Sequence, residues 1–179
     1  MEGGLDTERL RLYPLTEDDL DDLVELDGEP EVRRMADPAG VIIPADREER
    51  RTYEWERHVA PGGFYGARER VGHAFVGWFQ LERVPDRPDE VELGYRLRRN
   101  VWGLGYATEA LAAVRDCAAA LGLERVYALC HPAHRTSARV LEKAGFLCEG
   151  TLGGYAEFPN LAPGVQADVL CYAMRYPKV

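Results

Sequence analysis

Strand, glycine loop and helix meet in the stretch Leu97-Arg98-Arg99-Asn100-Val101-Trp102-Gly103-Leu104-Gly105-Tyr106-Ala107-Thr108-Glu109. Gly103 and Gly105 lack a Cβ, so the chain can curl there and a ligand can come up against the backbone. Unused N–H groups and the dipole at the start of the following helix attract an anion such as a pyrophosphate. Arg98 and Arg99 add positive charge at the loop entrance. Two commoner phosphate motifs do not fit. No Gly-Lys-Ser/Thr follows, so this is not a Walker A loop. A dinucleotide fingerprint would place a third Gly at Thr108 and an acid at the end of the next strand, where Cys130-His131-Pro132 stand. On glycine spacing alone, a plain strand-to-helix turn explains the stretch as well.

The surrounding elements follow from periodicity. Thr7 to Leu15 alternates apolar and polar residues and reads as a strand. Thr16 then stands before Glu17-Asp18-Asp19, an N-cap followed by acidic first-turn residues. A helical stripe of Leu20, Leu23, Val24 and Leu26 ends near Gly28. Ala45 to Val59 reads as a charged second helix, broken by Pro61-Gly62-Gly63. Strands are expected over Phe64 to Arg68, His73 to Leu81 and Glu90 to Arg98, with a turn over Val84 to Asp89. In the last of these strands Val91, Leu93, Tyr95 and Leu97 share one face, and Glu92, Gly94, Arg96 and Arg98 the other. Tyr106 to Leu121 carries a continuous apolar stripe and reads as a helix. Val126 to Cys130 is a strand, Ser137 to Ala144 a helix, and Phe146 to Glu149 and Asp168 to Arg175 closing strands around a loop-rich segment. The order predicts a mixed α/β fold with a central, mostly antiparallel twisted sheet and helices on both faces, in one domain over residues 1–179.

Composition sets outer bounds. A formal net charge of −9 disfavours nonspecific nucleic-acid binding and is compatible with a cationic substrate, although such a charge more commonly serves solubility alone. No apolar run reaches the length of about 20 residues that spans a bilayer, and the first residues lack signal-peptide character, so a cytoplasmic protein is expected. Cys117, Cys130, Cys148 and Cys171 contain no C-x-x-C pair and are expected to be reduced thiols. His131 and His134 supply too few ligands for a useful metal site.

The stretch from Gly94-Tyr95-Arg96-Leu97 through Trp102-Gly103-Leu104-Gly105-Tyr106-Ala107-Thr108-Glu109-Ala110 resembles the coenzyme-A loop of the GCN5-related N-acetyltransferases. Within that superfamily it is similar to the Rim-type ribosomal-protein N-terminal acetyltransferases. Thr7-Glu8-Arg9-Leu10-Arg11-Leu12, Ser137 to Phe146 and Asp168-Val169-Leu170 agree with that branch in order, so the likeness runs from Thr7 to about Met174. It departs at Asn100, where the family has Gln or Arg, at His134, where it usually has Asn, and at Leu141, where many relatives carry a Tyr that protonates the leaving thiolate. The resemblance implies a sheet splayed at the coenzyme site and acetyl-CoA as cosubstrate. It places backbone N–H groups from Val101 through Trp102, Gly103, Leu104, Gly105 and Tyr106 to Ala107, with Thr108, around the pyrophosphate. It places Leu97 and Arg98 along the pantetheine arm, and His134 at the helix start as a cap or pantetheine contact. Ser137 inherits the role of proton donor; as a bare sequence feature it is a first-turn helix residue that can satisfy a backbone N–H.

Acetyl transfer to an amine needs a deprotonated nitrogen, a polarised thioester carbonyl and a route for the thiolate to leave. Direct attack by the amine suffices. Glu92, on the strand entering the loop, is the expected base, directly or through water; the other reading of it is a solvated strand carboxylate. Asp168 is expected to be structural or substrate-orienting, and Tyr155 and Glu157 to line an acceptor cleft. The expected acceptor is a protein N-terminal amine or a small-molecule amine, with no nucleic-acid or membrane partner and a homodimer expected from the resemblance. An idle acyl-CoA-binding module and a domain holding another phosphate remain open at this point.

Overall fold

Thr16 caps the start of the first helical segment as the sequence predicts, and Asp19 completes the cap. The Asp19 carboxylate accepts the Thr16 backbone N–H at 3.0 Å and the Thr16 hydroxyl at 3.3 Å. A computed structural model describes residues 4–34, 46–59 and 63–177. Its strands are β1 (Leu5–Asp6), β2 (Leu10–Pro14), β3 (Phe64–Glu69), β4 (Phe75–Val84), β5 (Arg87–Leu97), β6 (Arg125–Cys130), β7 (Leu147–Glu157) and β8 (Gln166–Arg175). Its helices are α1 (Leu20–Gly28), α2 (Pro30–Arg33), α3 (Arg47–Glu54), α4 (Tyr106–Ala120) and α5 (Arg135–Lys143). The strands form one eight-stranded sheet in the order β1-β2-β3-β4-β5-β6-β8-β7. Every pairing is antiparallel except β5 with β6, which run parallel because α4 crosses between them.

The apolar stripe of α4 packs on one face of the sheet. Ala110 and Leu111 are fully buried there with Leu10, Leu12, Phe79 and Val126. Burying a side chain such as Leu111 contributes about 1.5–3 kcal/mol. On the other face Leu20, Leu23 and Leu26 of α1 pack with Phe75 and Trp78 of β4. No described helix is long and apolar enough to cross a membrane. The four cysteines are free thiols.

Several boundaries differ from the sequence expectation, each for a local reason. Thr7 to Arg9 form a turn rather than strand, because the Thr7 N–H donates to the Leu10 carbonyl at 2.8 Å and the Thr7 hydroxyl accepts the Leu10 N–H at 2.9 Å. The second helix starts at Arg47 under an Asp46 cap, whose carboxylate accepts from the amides of Glu48 and Glu49. It widens into a π turn over Trp55–Val59; Ala45, Pro61 and Gly62 lie outside the described residues. The turn over Val84 to Asp89 shrinks to a tight hairpin. The expected loop between the last two strands also shortens, because β7 runs on to Glu157 and β8 starts at Gln166. Gly153 and Gly154 are taken up in a bulge between Leu152 and Ala156. The Asp168 carboxylate accepts the Gly154 N–H at 2.9 Å and holds that bulge.

Candidate active site

The site begins where β5 and β6 part. Their pairing covers Glu90–Arg125, Val91–Val126 and Glu92–Tyr127, after which the strands diverge. Arg125 pins the base of this V. It donates to Glu90 at 2.7 Å and to Glu149 at 2.8 Å, and lies 4.5 Å over the Tyr127 ring. Toward the mouth, the Arg98 N–H donates to the Val76 carbonyl of β4 at 2.9 Å. Strand alternation therefore turns the backbone groups of Leu97 and Tyr95 to the opposite, unpaired edge. The Leu97 carbonyl there accepts the Trp102 indole N–H at 2.9 Å. Of the residues expected along a pantetheine arm, Leu97 is at the open edge and Arg98 is not.

The glycine loop leaves β5 through a short turn over Arg99–Val101. The N–H groups of Val101, Trp102 and Leu104 are spent inside the turn, on the carbonyls of Arg98, Arg99 and Val101. Those of Gly103, Gly105, Tyr106, Ala107 and Thr108 meet no acceptor among the described residues. They lie at the N-terminus of α4, where the helix dipole adds partial positive charge. Gly103 and Gly105 hold φ of +79° and +86°, left-handed conformations that other residues adopt only under strain. A Cβ on Gly103 would meet nothing within 4 Å, so its face of the loop is open to a ligand.

The charges around the loop correct the sequence expectation. Arg98 is turned to α1, 2.8 Å from Asp22 and 3.0 Å from Glu25, and Arg99 pairs with Glu31. Neither is a free cation at the loop. Arg9, itself paired with Glu109, is the cation that touches the loop. Its Nε donates to Glu109 at 2.6 Å, its Nη1 to the Leu104 carbonyl at 2.9 Å, and its guanidinium lies 4.6 Å over the Tyr106 ring. The Thr7 hydroxyl and the Arg9 N–H also donate to Glu109. Burial works against ionisation of Glu109, but these hydrogen bonds and the guanidinium hold its carboxyl below the usual range. The chain start thus locks the loop through Glu109. Sequence reasoning saw both segments and not their contact.

At the start of α5, His134 is the cap. Its Nδ1 accepts the Ser137 N–H at 3.2 Å, and burial pushes the imidazole down, toward the neutral form that accepts. Ser137 is therefore not needed as a backbone acceptor. Its Oγ lies 2.9 Å from the Tyr95 hydroxyl. Leu141 is fully buried in the core. His131 accepts the Ala133 N–H at 3.1 Å and packs edge-on against Phe158.

On the opposite face of β5, Glu92 is half-buried and accepts the Tyr127 hydroxyl at 3.0 Å. Burial raises its carboxyl; the Tyr127 hydrogen bond opposes that rise and the like charge of Glu82 adds to it. Glu82 is its register partner on β4 and one wall of a cavity of about 480 Å³, with Arg57, Phe64, Gln80 and Arg83 around it. Tyr155 is brought near Glu92: its phenol is raised first by burial and then by that carboxylate. Glu157 and Asp168 hold the last hairpin, Glu157 by accepting the Gly164 N–H at 2.7 Å and Asp168 by accepting that of Gly154.

Beneath this face lies a cluster that sequence reasoning missed. Asp27, Glu54 and His58 are buried with Arg96, which donates to Asp27 at 2.6 Å, while His58 and Glu54 are 2.7 Å apart. Burial raises Asp27, and raises Glu54 to about 7. Ligand-type atoms of Asp27, Glu54 and His58 come within 4.8 Å of one another. The Arg96 guanidinium supplies the positive charge there, so the cluster is an ion-pair network. The only sequence trace is the i, i+4 spacing of Glu54 and His58.

Comparison with known proteins places the chain in a family. The family model described as acetyltransferase (GNAT) domain matches residues 9–147. The FsC-acetyl coenzyme A-N(2)-transacetylase of Aspergillus fumigatus is 30% identical over 181 residues, which cover 95% of this chain and 75% of that protein. The solved GNAT-family acetyltransferase of Bacillus anthracis superposes with a TM-score of 0.81 at 22% identity, over 96% of this chain and 98% of that one. Mycobacterium smegmatis RimJ, solved in complex with CoA-disulfide, gives a TM-score of 0.73 at 23% identity, over 93% and 81%. At those identities the two structures share the fold. The family match spans the splayed strands, the glycine loop, α4 and α5, and the chain belongs to the GNAT acetyltransferase family, as an acetyl-CoA-dependent enzyme that acetylates an amine.

Proposed function

We propose that the cleft between β5 and β6 holds acetyl-CoA in a ternary complex with the amine, which attacks the thioester directly. The observation that carries this is the row of unspent N–H groups at Gly103, Gly105, Tyr106, Ala107 and Thr108, set at the start of α4 and at the mouth of the splay. They hold the pyrophosphate. Leu97 and its neighbour Tyr95 hydrogen-bond the pantetheine arm through the unpaired edge of β5, as a missing strand would. A thioester placed alongside them has its carbonyl polarised by a strand N–H, and such a donor is worth about 3 kcal/mol in the barrier.

Glu92 is the base for the acceptor. It stands on the face away from α4, opposite Glu82 of the cavity wall, and its raised carboxyl brings it closer to the pH at which it must take a proton. It works directly or through one water. Ser137, its amide already capped by His134, donates its hydroxyl proton in a hydrogen bond to the departing sulfur. Cys130 is no rival nucleophile, because burial pushes its thiol up to about 11. The acceptor is a small-molecule amine or a protein N-terminal amine that enters from the α1–α3 face. Residues 1–179 form one domain in this reading, which the joining of early and late described strands in a single sheet supports. The protein works in the cytoplasm, and the exposed edge strand β7 offers a face for a homodimer.

The test is a panel of peptide and small-molecule amines assayed by release of free coenzyme A, followed by Glu92→Gln on the best substrate. We expect kcat to fall about 100-fold with the KM for acetyl-CoA unchanged. In the parent enzyme the rate should rise as pH climbs through the raised Glu92 value. The variant should lose that contribution. Parental turnover in Glu92→Gln would remove the base assignment.

A further inference from the structure

The first turn of α5 leaves the Ser137 hydroxyl unoccupied by the helix. Its amide goes to His134, and its Oγ points across to β5, where the Tyr95 hydroxyl lies 2.9 Å away. Tyr95 is half-buried in relative exposure and stacks on Phe79, with ring centroids 5.9 Å apart and planes at 24°. The ring is thereby fixed in direction. Burial is the main cause that pushes its phenol up to about 12, so it keeps its proton at any working pH. The backbone of Tyr95 lies at the same unpaired edge of β5 that faces the cleft.

A serine hydroxyl has one proton and two acceptor positions. Left alone, it rotates among several partners, one of them the carbonyl of the preceding helical turn. A second hydroxyl that donates to its oxygen fixes which way its own proton points. The Tyr95 hydroxyl lies 2.9 Å from Ser137 Oγ, a contact in which either oxygen can donate, and 3.5 Å from the Ser137 carbonyl; the shorter contact makes Oγ the better acceptor for the phenol proton. Leu141, fully buried, offers none, and His134 is an acceptor toward Ser137.

We propose that Tyr95 is a positioning residue for departure of the thiolate: its phenol O–H donates to Ser137 Oγ and turns the serine proton toward the sulfur. The proposal rests on the role given to Ser137 above. In the step itself the amine nitrogen bonds to the acetyl carbon and the carbon–sulfur bond breaks, with the electron pair left on sulfur. The nitrogen gives up its proton to Glu92 or water, and the thiolate takes one from solvent after leaving. Tyr95 and Ser137 keep theirs. They lower the barrier by hydrogen-bonding the charge that develops on sulfur. Proton transfer from so weak an acid to an alkyl thiolate, whose thiol titrates near ~8.5, would run uphill.

The experiment is a double-mutant cycle of Tyr95→Phe and Ser137→Ala in the full chain, using the amine that the panel identifies, with kcat and the KM for acetyl-CoA measured for each variant. Tyr95→Phe keeps the ring stacked on Phe79, and thermal midpoints check that all variants fold. We expect each single variant to lower kcat about 10-fold with KM within twofold, and the double variant to be no slower than Ser137→Ala. Multiplying losses in the double variant would show that Tyr95 does not act through Ser137 and overturn the proposal. Parental kcat in Tyr95→Phe with a slow Ser137→Ala would overturn it while leaving the Ser137 role intact. Parental kcat in Ser137→Ala would overturn both.

Discussion

Glu109 shows how one side chain can serve a site it does not enter. It is the shared acceptor for the Thr7 hydroxyl and for the Arg9 amide and guanidinium, and Arg9 in turn holds the Leu104 carbonyl. Loss of this clamp should loosen the loop and leave the chemistry alone. Glu109→Gln is therefore expected to raise the KM for acetyl-CoA about threefold to fivefold with kcat little changed, the modest size reflecting an ion pair whose Arg9 side chain is 43% exposed. Steady-state kinetics at two salt concentrations check it, since the parent should approach the variant as salt screens the pair. The glycines of the loop were legible in the sequence because positive φ is a local demand. Arg9 was legible only as an outward strand residue. Its partner is 100 residues away, and no spacing rule reaches that far.

Elements tell a similar story about range. Helix α4 could be read from its stripe, and the first helix from Thr16 and its acids, because caps and periodicity are written within a few residues. The late hairpin could not be read. Gly153-Gly154 looks like a loop, and only the Asp168 side chain on the next strand turns it into a bulge within β7. The buried network of Asp27, Glu54, His58 and Arg96 joins α1, α3, the π turn after it and β5, and was invisible for the same reason. It carries a stability prediction. Glu54 binds its proton more tightly in the folded protein, with a value near 7 against an ordinary 4.5. The contribution of its protonated form is complete below the unfolded value and is lost as pH rises through the folded one. Stability measured by urea unfolding should therefore fall between about pH 5 and 7. Glu54→Gln should flatten that slope, and an unchanged slope would place the titration elsewhere.

The whole molecule is a sheet that opens once. Seven strand pairings are ordered, six of them antiparallel, and the parallel one between β5 and β6 is also the one that parts. Arg125 closes the base of the opening, α4 presents its N-terminus at the mouth, and the two faces divide the cofactor side from the acceptor side. The resemblance in the sequence anticipated this plan, because four motifs in order fix a topology that any one of them leaves open. It did not anticipate which amides remain free. That is the central claim: backbone conformation at Gly103 and Gly105, more than the side chains of Arg98, Arg99 or Leu104, creates the coenzyme site. The most direct measurement is calorimetric titration of acetyl-CoA into the parent, Gly105→Trp and Leu104→Ala proteins, each with its thermal midpoint recorded. We expect saturable binding by the parent, affinity within threefold in Leu104→Ala, and no measurable binding by a folded Gly105→Trp. Equal affinity in the two variants, or no binding by the parent, would contradict the account.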